Sequence, residues 1–457
     1  GAPPLEQCAI TRTIAVAAGR FAPGHLGELT QQVPFEMVDA VLAETRAVQA
    51  RVRDLPSRVV VYLLLAAGLF AELGYREVWA RLVAGLDGLP VAMPSSSALS
   101  QARRRIGDKP LAALFRLLAG PPAGAARWRG LLVCAIDGTS MFVPDSAANL
   151  AVYPRQAGTH GGSGYPMLRL VAVVVCGTRT LIDAVFTPLT TGELGCAGRL
   201  LGCLRPGMLL LADRGFAART MIEQFAGTGA DLLIRDKDDR RLPVIRRHRD
   251  GSWLSVIGAM TVRVVDAEIV VSLNGKRHVG RYRLITTLTD HRRFPALDLV
   301  TLYHQRWEIE TAYLELKSTL LGGRVLRART PNGVSQEVHA LLAGYQTVRL
   351  AMADATASQP AAHPDRASFT VAVHAARDQV ILAAGIIADT VIDLVGAIGR
   401  AVLAHLLAQR RPRTSPRVVK RAISKHRAKG AIDRTNYHHT IAIKILNTTA
   451  LTTNPPP

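Results

Sequence analysis

The spacing of hydrophobic residues divides the chain into three regions. Up to about residue 124 the apolar positions recur mostly at helical intervals, and this region ends in a turn-rich segment at 120–124. Short, wholly apolar runs then predict buried strands. After about residue 350, helical spacing returns in an Ala-, Leu- and Val-rich segment. The pattern therefore predicts regions at 1–124, 125–350 and 351–457, of which the first and last are helical.

The middle region is predicted to mix strands and helices. Strands are predicted at 131–136, 167–176, 181–187, 208–212 and 231–234, with helices at 193–204 and 217–226. Alternating residues at 260–265 and 269–273, separated by an Asn274-Gly275 turn, predict a β-rich insertion at about 236–288. The fold class predicted for this region is therefore α/β.

One predicted helix carries an unusual set of charged side chains. Its apolar positions recur at helical spacing, at Leu299, Leu302, Ile309, Tyr313, Leu316 and Leu320. Glu310 lies seven residues after Tyr303 and seven before Lys317, and Arg306 lies one turn before Glu310, so these four side chains share a face. The face is either an exposed, salt-bridged surface or a site where a metal-binding acid lies beside phosphates.

Two aspartates follow predicted strands. Asp137 follows the run 131–136 and Asp213 follows 208–212, and a glycine comes soon after each of them. A strand that ends in this way presents a carboxylate at the edge of a sheet, where the backbone can approach a ligand closely. Either aspartate alone is better explained as a turn or helix-cap residue than as a ligand. Two such strand ends, together with the Glu310 helix, favour a shared site.

These motifs together resemble the DDE transposases of bacterial insertion sequences, and in particular the insertion sequence four group. The resemblance rests on Asp-Gly-Thr at 137–139, Ala-Asp-Arg-Gly-Phe at 212–216, and the signature Tyr-x2-Arg-x3-Glu-x6-Lys. The signature fits at Tyr303, Arg306, Glu310 and Lys317. Further similar stretches lie at 94–103, 165–170 and 283–288, so the resemblance extends from about residue 20 to about residue 350.

The resemblance implies a ribonuclease H-like catalytic core, interrupted by the β insertion and preceded by a helical DNA-binding domain. In that fold, central strands carry the first two acids and a later helix carries the third. Asp137, Asp213 and Glu310 would then hold two Mg²⁺ ions, for which Mn²⁺ can substitute. The implied function is to bind the terminal inverted repeats, cleave the ends by hydrolysis and join the freed 3′-OH to target DNA.

Further residues are expected to contact DNA. Tyr303 would position the terminal nucleotide. The expected phosphate contacts are Arg306, Lys317, Arg214 and Arg235. Cut-and-paste movement through a hairpin intermediate, with a homodimer holding two double-stranded ends, is also implied by the resemblance.

Two other features have open interpretations. Helical stretches at 74–86 and 95–106 form either a helix-turn-helix, with Arg103 and Arg104 on its second helix, or an ordinary helical hairpin. Trp253, in the insertion, either stacks on an unpaired base or packs inside the protein.

The charge of the chain favours a polyanionic partner. The 457 residues carry a formal net charge of +21, with a pI near 10.6, which points to nucleic acid. A segment at 410–429 contains no acid, and it is either a solvated face or a non-specific DNA contact. The tail at 449–457 is predicted to be disordered.

Two further patterns bear on location. The apolar run 59–71 has the length of a buried core helix rather than of a membrane span. Five cysteines without a CxxC pair are typical of a reducing cytosol. We therefore predict a cytoplasmic, nucleoid-associated protein without a membrane partner.

Two alternatives to a transposase remain from the sequence. One is a ribonuclease H-like nuclease that cuts without joining. The other is a catalytically inactive descendant that acts only as a DNA-binding regulator. The three intact acids argue against the second alternative, and the helical N-terminal region together with the signature helix argues against the first.

Overall fold

The computed structural model describes most of the chain. The described residues are 13–15, 20–51, 53–86, 88–156, 164–237, 240–273, 276–359, 361–382, 396–408 and 439–446. The predicted basic segment 410–429, the predicted disordered tail 449–457 and the Asn274-Gly275 turn lie outside these residues.

The N-terminal region is mainly helical, as predicted. A short antiparallel pair, β1 (Thr13–Ala15) and β2 (Phe21–Pro23), precedes the helices. They are α1 (Phe35–Glu44), α2 (Ser57–Leu69), α3 (Tyr75–Val83), α4 (Ser96–Ile106) and α5 (Lys109–Leu118). Nearly every residue of α2 is buried, which confirms that the run 59–71 belongs to a core helix. Ala84 to Ser95 separate α3 from α4, a connection longer than the three or four residues of a compact helix-turn-helix.

A mixed sheet forms the centre of the molecule. Its first strands are β3 (Leu132–Phe142), β4 (Met167–Val175), β5 (Leu181–Pro188), β6 (Met208–Ala212) and β7 (Asp231–Arg235). The helices between them are α6 (Ala147–Leu150), α7 (Glu193–Arg199) and α8 (Arg219–Gly227). The order across the sheet is β5-β4-β3-β6-β7, with β3, β6 and β7 parallel and β4 antiparallel to both neighbours. The predicted sequence of strands and helices is confirmed.

The predicted β insertion extends the same sheet. It contributes β8 (Arg246–Arg247), β9 (Trp253–Ile257), β10 (Met260–Leu273) and β11 (Lys276–Thr286). The strand β11 runs antiparallel to β7, with Leu284 opposite Arg235. The insertion is therefore a continuation of the sheet rather than a separate layer.

The signature stretch is helical but is not the single α-helix that its periodicity predicts. It consists of α9 (Ala296–Tyr303), a 3₁₀ turn (His304–Arg306), α10 (Trp307–Leu314) and a π-helical turn (Glu315–Leu320). The tighter and the wider turn each change the direction in which the following side chains point. Apolar spacing does not reveal such local changes, because the buried side stays apolar throughout.

Helices also follow the signature stretch, and the predicted boundary at residue 350 lies inside the first of them. They are α11 (Pro331–Ala357), α12 (Phe369–Ile381) and α13 (Gly396–Ala404). Since α11 runs without a break past residue 350 and packs against both α2 and α5, it joins the regions that the sequence separates.

The final region of the chain is not purely helical, which corrects the prediction. A strand, β12 (His439–Ile445), pairs antiparallel with β10. The strand β9 covers β10 only at Met260–Val264, and β12 occupies the same edge at Ala267–Leu273. The ten-stranded sheet therefore includes a strand from near the C-terminus.

One hydrophobic core connects all three regions. It contains, for example, Leu63 of α2, Leu211 of β6 and Val373 of α12, all of them buried. A smaller apolar cluster fills the space between the sheet and helices α7 and α8. Within the described residues, no helix combines the length and apolar character that crossing a membrane requires.

Candidate active site

Asp137 lies within a strand, not at the end of one. The sequence predicts that the strand stops at residue 136, but β3 continues to Phe142 because its pairing with β4 continues to Met167. Only the parallel pairing with β6 stops, at Ala135 opposite Leu211. The carboxylate of Asp137 therefore lies beside the end of β6, the neighbouring strand.

The register of the two parallel strands sets the aspartates side by side. Leu132 lies opposite Met208 and Ala135 opposite Leu211, so continuing the same register brings Asp137 level with Asp213. Asp213 follows β6 directly and caps a 3₁₀ turn, since its Oδ1 accepts a hydrogen bond of 2.8 Å from the Gly215 N–H. The prediction of a carboxylate directly after this strand is confirmed.

The signature helix brings Glu310 towards Asp137 through Arg306. One guanidinium nitrogen of Arg306 lies 3.4 Å from Asp137 Oδ2, and another lies 3.2 Å from Glu310 Oε1. All three side chains are 11–13% exposed. Burial raises the pKa of Asp137 to about 6; Arg306 and the Gly138 N–H oppose this rise, while Asp213 and Glu310 add to it. The three acids therefore converge on one largely buried region.

The other signature residues hold the helix against the two catalytic strands. Tyr303 donates a hydrogen bond of 2.9 Å to the carbonyl of Ala212, directly before Asp213. Lys317 Nζ lies 3.0 Å from Thr139 Oγ1, two residues beyond Asp137. The four signature side chains thus lie along one side of the stretch, as their spacing predicts.

Tyr313 is a site residue that the sequence places only on the apolar face. Its hydroxyl donates 2.6 Å to the carbonyl of Asp137 and accepts 3.0 Å from the N–H of Ala172. The sequence could have indicated this residue, because a tyrosine stands among the aliphatic residues of the apolar face and a buried Tyr hydroxyl requires a hydrogen-bond partner. Tyr313 therefore connects the backbone of Asp137 in β3 to the backbone of Ala172 in β4.

Arg214 and Arg235 lie near Asp213. Together with Asp213, Tyr303 and Arg306 they line a cavity of about 210 Å³. The guanidinium of Arg235 lies over the ring of Tyr282, 4.2 Å from its centroid. The structure therefore brings both predicted arginines to the cavity at Asp213.

A second charged cluster lies on the opposite side of the signature helix, and no sequence pattern indicates it. Arg179 pairs with Glu308, Glu315 and Asp365. Arg349 also pairs with Glu315. Arg179 follows β4, Asp365 precedes α12 and Arg349 belongs to α11, so only the fold makes them neighbours.

Trp253 does not belong to the site, which corrects the prediction of base stacking. It is 2% exposed, because position 253 begins the alternating burial of β9 and faces inward. Arg103 and Arg104 also lie apart from the acids, in a groove between α4 and the start of α11.

Comparisons with known proteins agree with this geometry. Residues 23–116 match the family described as "Insertion element 4 transposase N-terminal", and residues 128–346 match "Transposase DDE domain". The second match contains all three acids. The chain belongs to the insertion element 4 group of DDE transposases.

Relatives of this chain are named as transposases. It is 28% identical to "Transposase InsG for insertion sequence element IS4" of Escherichia coli, over 84% of this chain and 90% of that protein. It is also 28% identical to "Putative transposase InsZ" of the same species, over 42% of this chain and 64% of that protein. Among solved structures it is similar to a piggyBac transposase synaptic complex with hairpin DNA, with a TM-score of 0.42 and 12% identity, over 85% of this chain and 86% of that one.

The donor set of the transposase fits a hard divalent cation, which DDE transposase domains generally use. Asp137, Asp213 and Glu310 supply only carboxylate oxygens, the ligands that such cations prefer. Arg306 lies between two of these carboxylates, and in the described stretches of the chain no three acidic, His or Cys side chains already surround a single point. A cation would therefore share the acids with Arg306 or displace it.

Proposed function

We propose that the transposase cuts transposon ends and joins them to target DNA in the site built by Asp137, Asp213 and Glu310. These acids would hold two Mg²⁺ ions, for which Mn²⁺ can substitute. The observation that carries this proposal is the register of β3 and β6, which sets Asp137 level with Asp213 while Arg306 ties Glu310 to Asp137. When bound, the ions would compensate the charge of a phosphodiester and lower the pKa of water.

The remaining side chains would position DNA, which is the main task of a protein in phosphoryl transfer. Arg214 and Arg235 line the same cavity as Asp213, so a strand whose phosphate reached that acid would meet both guanidiniums. Lys317 lies at Thr139, beyond Asp137 on the same strand, and would contact a phosphate on that side. Tyr303 would position the terminal nucleotide through its ring, while its hydroxyl stays bonded to the carbonyl of Ala212.

Two reactions would follow one another in this site. In the first, water attacks a phosphodiester at the transposon end, the bond between phosphorus and the 3′ oxygen breaks, and a 3′-OH is freed. In the second, that 3′-OH attacks a target phosphodiester and displaces its 3′ oxygen. Arg306, which contacts two of the acids, would contact a flanking phosphate once a cation shares or takes over those acids.

The assembly around this site also belongs to the proposal. The fold of 125–350 is proposed to be a ribonuclease H-like core, with the helical region at 1–124 binding the terminal inverted repeats. A homodimer would hold two double-stranded ends. Between cleavage and joining, the freed 3′-OH would attack the opposite strand and displace the 3′ oxygen of the flanking DNA, which closes a hairpin, and water would then reopen the hairpin and restore the 3′-OH. The basic segment 410–429 would add non-specific backbone contact. The transposase would act in the cytoplasm, associated with the nucleoid and without a membrane partner.

Cleavage of DNA carrying the flanking inverted repeats tests the proposal. Wild type, Glu310→Ala and Asp213→Asn are compared in Mg²⁺ and in Ca²⁺, with a 3′-OH end and a labelled target supplied to detect joining. Mg²⁺-dependent cutting and joining by wild type alone, with end binding retained by all three proteins, is the expected result.

Three other outcomes would contradict it. Cutting without joining would indicate a nuclease. Tight end binding by wild type without cutting would indicate a regulator. Loss of end binding in Asp213→Asn, in parallel with loss of cutting, would argue against the role of this acid as a metal ligand.

A further inference from the structure

A fourth acid lies beside β3, the strand that carries Asp137, although none of the sequence motifs includes it. Glu193 is the first residue of α7, which follows β5 after a short connection. This helix packs against both β4 and β5. The Glu193 side chain is 40% exposed and pairs with Arg169. Its exposure and pairing are those of an ordinary surface ion pair, so any further role depends on what else the carboxylate contacts.

Glu193 reaches β3 at Gly138, the residue directly after Asp137. A β-carbon at position 138 would lie 2.7 Å from Oε1 of Glu193 and 3.0 Å from its Cδ. These distances are too short for a real side chain, whereas the φ of Gly138 is not in the positive region that requires glycine. It is therefore the close approach of Glu193, and not the backbone conformation, that requires a glycine at this position.

Gly138 lies between the carboxylates of Asp137 and Glu193. Its N–H donates a hydrogen bond of 2.8 Å to Oδ1 of Asp137. Side chains alternate along β3, since Ala135 belongs to the main core and Ile136 to the smaller cluster next to α7. Glu193 thus approaches the strand from the side opposite the signature helix, and both carboxylates contact the same glycine.

Tyr313 gives a second indication that the two acids share one region. Burial raises the pKa of the Tyr313 hydroxyl well above its ordinary value, and Asp137 raises that pKa further. Glu193 acts in the same direction, while the N–H of Ala172 opposes it. Because the hydroxyl donates to the carbonyl of Asp137, Glu193 acts on a group that is bonded to the catalytic strand.

Arg169 compensates the charge of Glu193. Its Nη1 lies 3.0 Å from Oε1 of Glu193, and it belongs to β4, opposite Ser140 of β3. Its Nε is buried and has no hydrogen-bond partner among the described residues, so Glu193 does not satisfy the whole guanidinium. The pair resembles that of Arg306 with Asp137, in which an arginine also contacts an acid at the site.

A cavity opens on the side of β3 where Glu193 lies. It has a volume of about 530 Å³, and its lining includes Gly138, Thr139, Arg169 and Glu193. Thr139 also contacts Lys317 of the signature stretch. The space beside Glu193 therefore adjoins both the strand and the helix that carry the catalytic acids, and it is large enough for a hydrated cation.

The charge of the proposed cation site is consistent with another acid. Two Mg²⁺ ions carry four positive charges, whereas Asp137, Asp213 and Glu310 supply three negative ones. Arg306, which contacts two of these acids, adds a further positive charge. Since the number of charged ligands tunes the affinity of a carboxylate site for divalent cations, a fourth acid would strengthen binding.

We propose that Glu193 is a fourth acid of the cation site and helps to hold a divalent cation on the Thr139 side of Asp137. The inference rests on the proposed function, because it requires that Asp137, Asp213 and Glu310 bind such cations. Arg169 compensates Glu193 as long as no cation is bound, and Gly138 lets the carboxylate lie against the strand.

Manganese binding tests the proposal, because Mn²⁺ prefers the same oxygen ligands as Mg²⁺. The full chain without DNA is titrated with Mn²⁺, and the free ion is counted by electron paramagnetic resonance. Wild type is compared with Glu193→Gln, with Glu310→Ala and with the matched control Glu223→Gln. Glu223 is matched because its side chain is 38% exposed and pairs with Arg219 at 2.9 Å, on α8.

Glu193→Gln should raise the dissociation constant for Mn²⁺ by about 10- to 100-fold, the scale seen when a group that supports a metal site is removed. Glu223→Gln should bind Mn²⁺ as wild type does. Wild-type affinity in Glu193→Gln, or an equal loss in Glu223→Gln, would overturn the proposal.

Arg169→Met separates a cation ligand from a partner in an ion pair. Both Glu193→Gln and Arg169→Met remove the pair, so a merely structural role predicts the same effect in both variants. A cation ligand predicts opposite effects, because Arg169→Met keeps the acid and removes the cation that competes for it. The dissociation constant for Mn²⁺ should therefore stay at the wild-type value or fall in Arg169→Met. An equal rise in both variants would overturn the proposal, and urea denaturation without metal shows whether both are folded.

Gly138→Ala tests the close approach of Glu193 without removing a charge. The added methyl group would lie 2.7 Å from Oε1 of Glu193 and should displace the carboxylate. The dissociation constant for Mn²⁺ should rise, and adding Glu193→Gln to this variant should raise it no further than Glu193→Gln alone. Additive effects of the two substitutions would show that Gly138 and Glu193 act independently and would contradict the proposal.

Glu310→Ala keeps this inference distinct from the proposed function. If Glu310→Ala loses Mn²⁺ and Glu193→Gln binds it as wild type does, only the role of Glu193 is wrong. If wild type binds no Mn²⁺, or Glu310→Ala binds it as tightly as wild type, the cation site of the proposed function is itself contradicted.

Discussion

The two sides of the signature helix carry similar charges in different surroundings. On the side towards the sheet, Glu310 is 11% exposed and lies near Asp137. On the opposite side, Glu308 and Glu315 are 12% and 9% exposed and lie near Arg179. Burial therefore does not distinguish Glu310, the proposed catalytic acid, from the other two. The difference lies in how completely each carboxylate is paired.

The charged residues on the opposite side form a rear cluster, in which each of the three acids contacts an arginine. Arg179 reaches Glu308, Glu315 and Asp365, and Arg349 pairs with Glu315. Although burial alone would lower the pKa of Arg349, Glu315 beside it raises that pKa above its ordinary value. The rear cluster thus pairs three acids with two arginines, so that each of these acids contacts a cation, and it anchors the helix to α11 and to the loop after β4.

The side towards the sheet forms a front cluster of Asp137, Asp213, Glu310 and Arg306. Arg306 reaches Asp137 and Glu310, whereas Asp213, within the described residues, forms no ion pair and accepts from a backbone N–H. The raised pKa of Asp137 reflects burial first and then the neighbouring acids. A rear cluster in which every acid contacts an arginine is typical of a structural anchor, and a front cluster in which Asp213 forms no ion pair within the described residues is typical of a cation site.

Replacing Glu310 by Gln tests the front cluster. We expect end cleavage to fall by at least about a thousand-fold, the scale on which one charge-stabilising group contributes to catalysis. Unfolding free energy should change by less than about 1 kcal/mol, because Arg306 keeps its partner Asp137 and no charge is left uncompensated. Single-turnover cleavage and urea denaturation measure the two quantities. A large loss of stability would show that the front acid also acts as an anchor.

The same substitution at Glu315 tests the rear cluster. Glu315→Gln removes the acid from Arg349, whose guanidinium also contacts the hydroxyl of Tyr345 at 3.3 Å and lies 5.0 Å from the centroid of the Phe369 ring, neither of which carries a negative charge. Leaving a buried charge uncompensated costs about 3–5 kcal/mol, and urea denaturation should show a loss of that size. Cleavage at a temperature where the variant is folded should fall much less than in Glu310→Gln. Equal losses of cleavage in the two variants would remove the distinction between front and rear.

The front cluster could be predicted from the sequence better than the rear one, for a physical reason. The front residues directly follow wholly apolar runs or recur at helical intervals, so local patterns in the sequence indicate them. The rear residues Arg179, Arg349 and Asp365 are far apart along the chain, and each looks like an ordinary surface charge until the fold makes them neighbours. Local apolar patterns indicate which face of a helix or strand is buried, but they do not indicate which distant element packs against that face.

The remaining differences have the same origin. The strand β3 continues past Asp137 because β4 pairs with it, and that pairing is not encoded near residue 137. The strand β12 forms where β9 leaves the edge of β10 uncovered. The long helix α11 crosses residue 350 because it packs on α2 and α5 at once. In each case a tertiary partner extends or adds an element where the local sequence permits more than one outcome.

Trp253 extends the comparison to the insertion, where a side chain predicted to contact DNA belongs to the interior. Trp253→Phe should lower the unfolding free energy by about 1–2 kcal/mol, the scale of the small cavity that it leaves. The affinity for the inverted-repeat duplex should not change, because the ring is 2% exposed. Denaturation and end binding are measured on the same preparation. A loss of DNA affinity without a loss of stability would restore the stacking interpretation.

Tyr303 gives the finest test of the comparison, because its hydroxyl is buried and yet is bonded to the residue directly before Asp213. Tyr303→Phe removes the bond to Ala212, which should cost about 0.5–1.5 kcal/mol of stability. If the hydroxyl only fixes the helix to β6, single-turnover cleavage should fall by less than about ten-fold, the rate equivalent of that energy. It should also fall equally on ends that carry or lack the terminal nucleotide. A loss seen only with the intact terminus would show that the hydroxyl contacts DNA directly and would place Tyr303 with the front cluster.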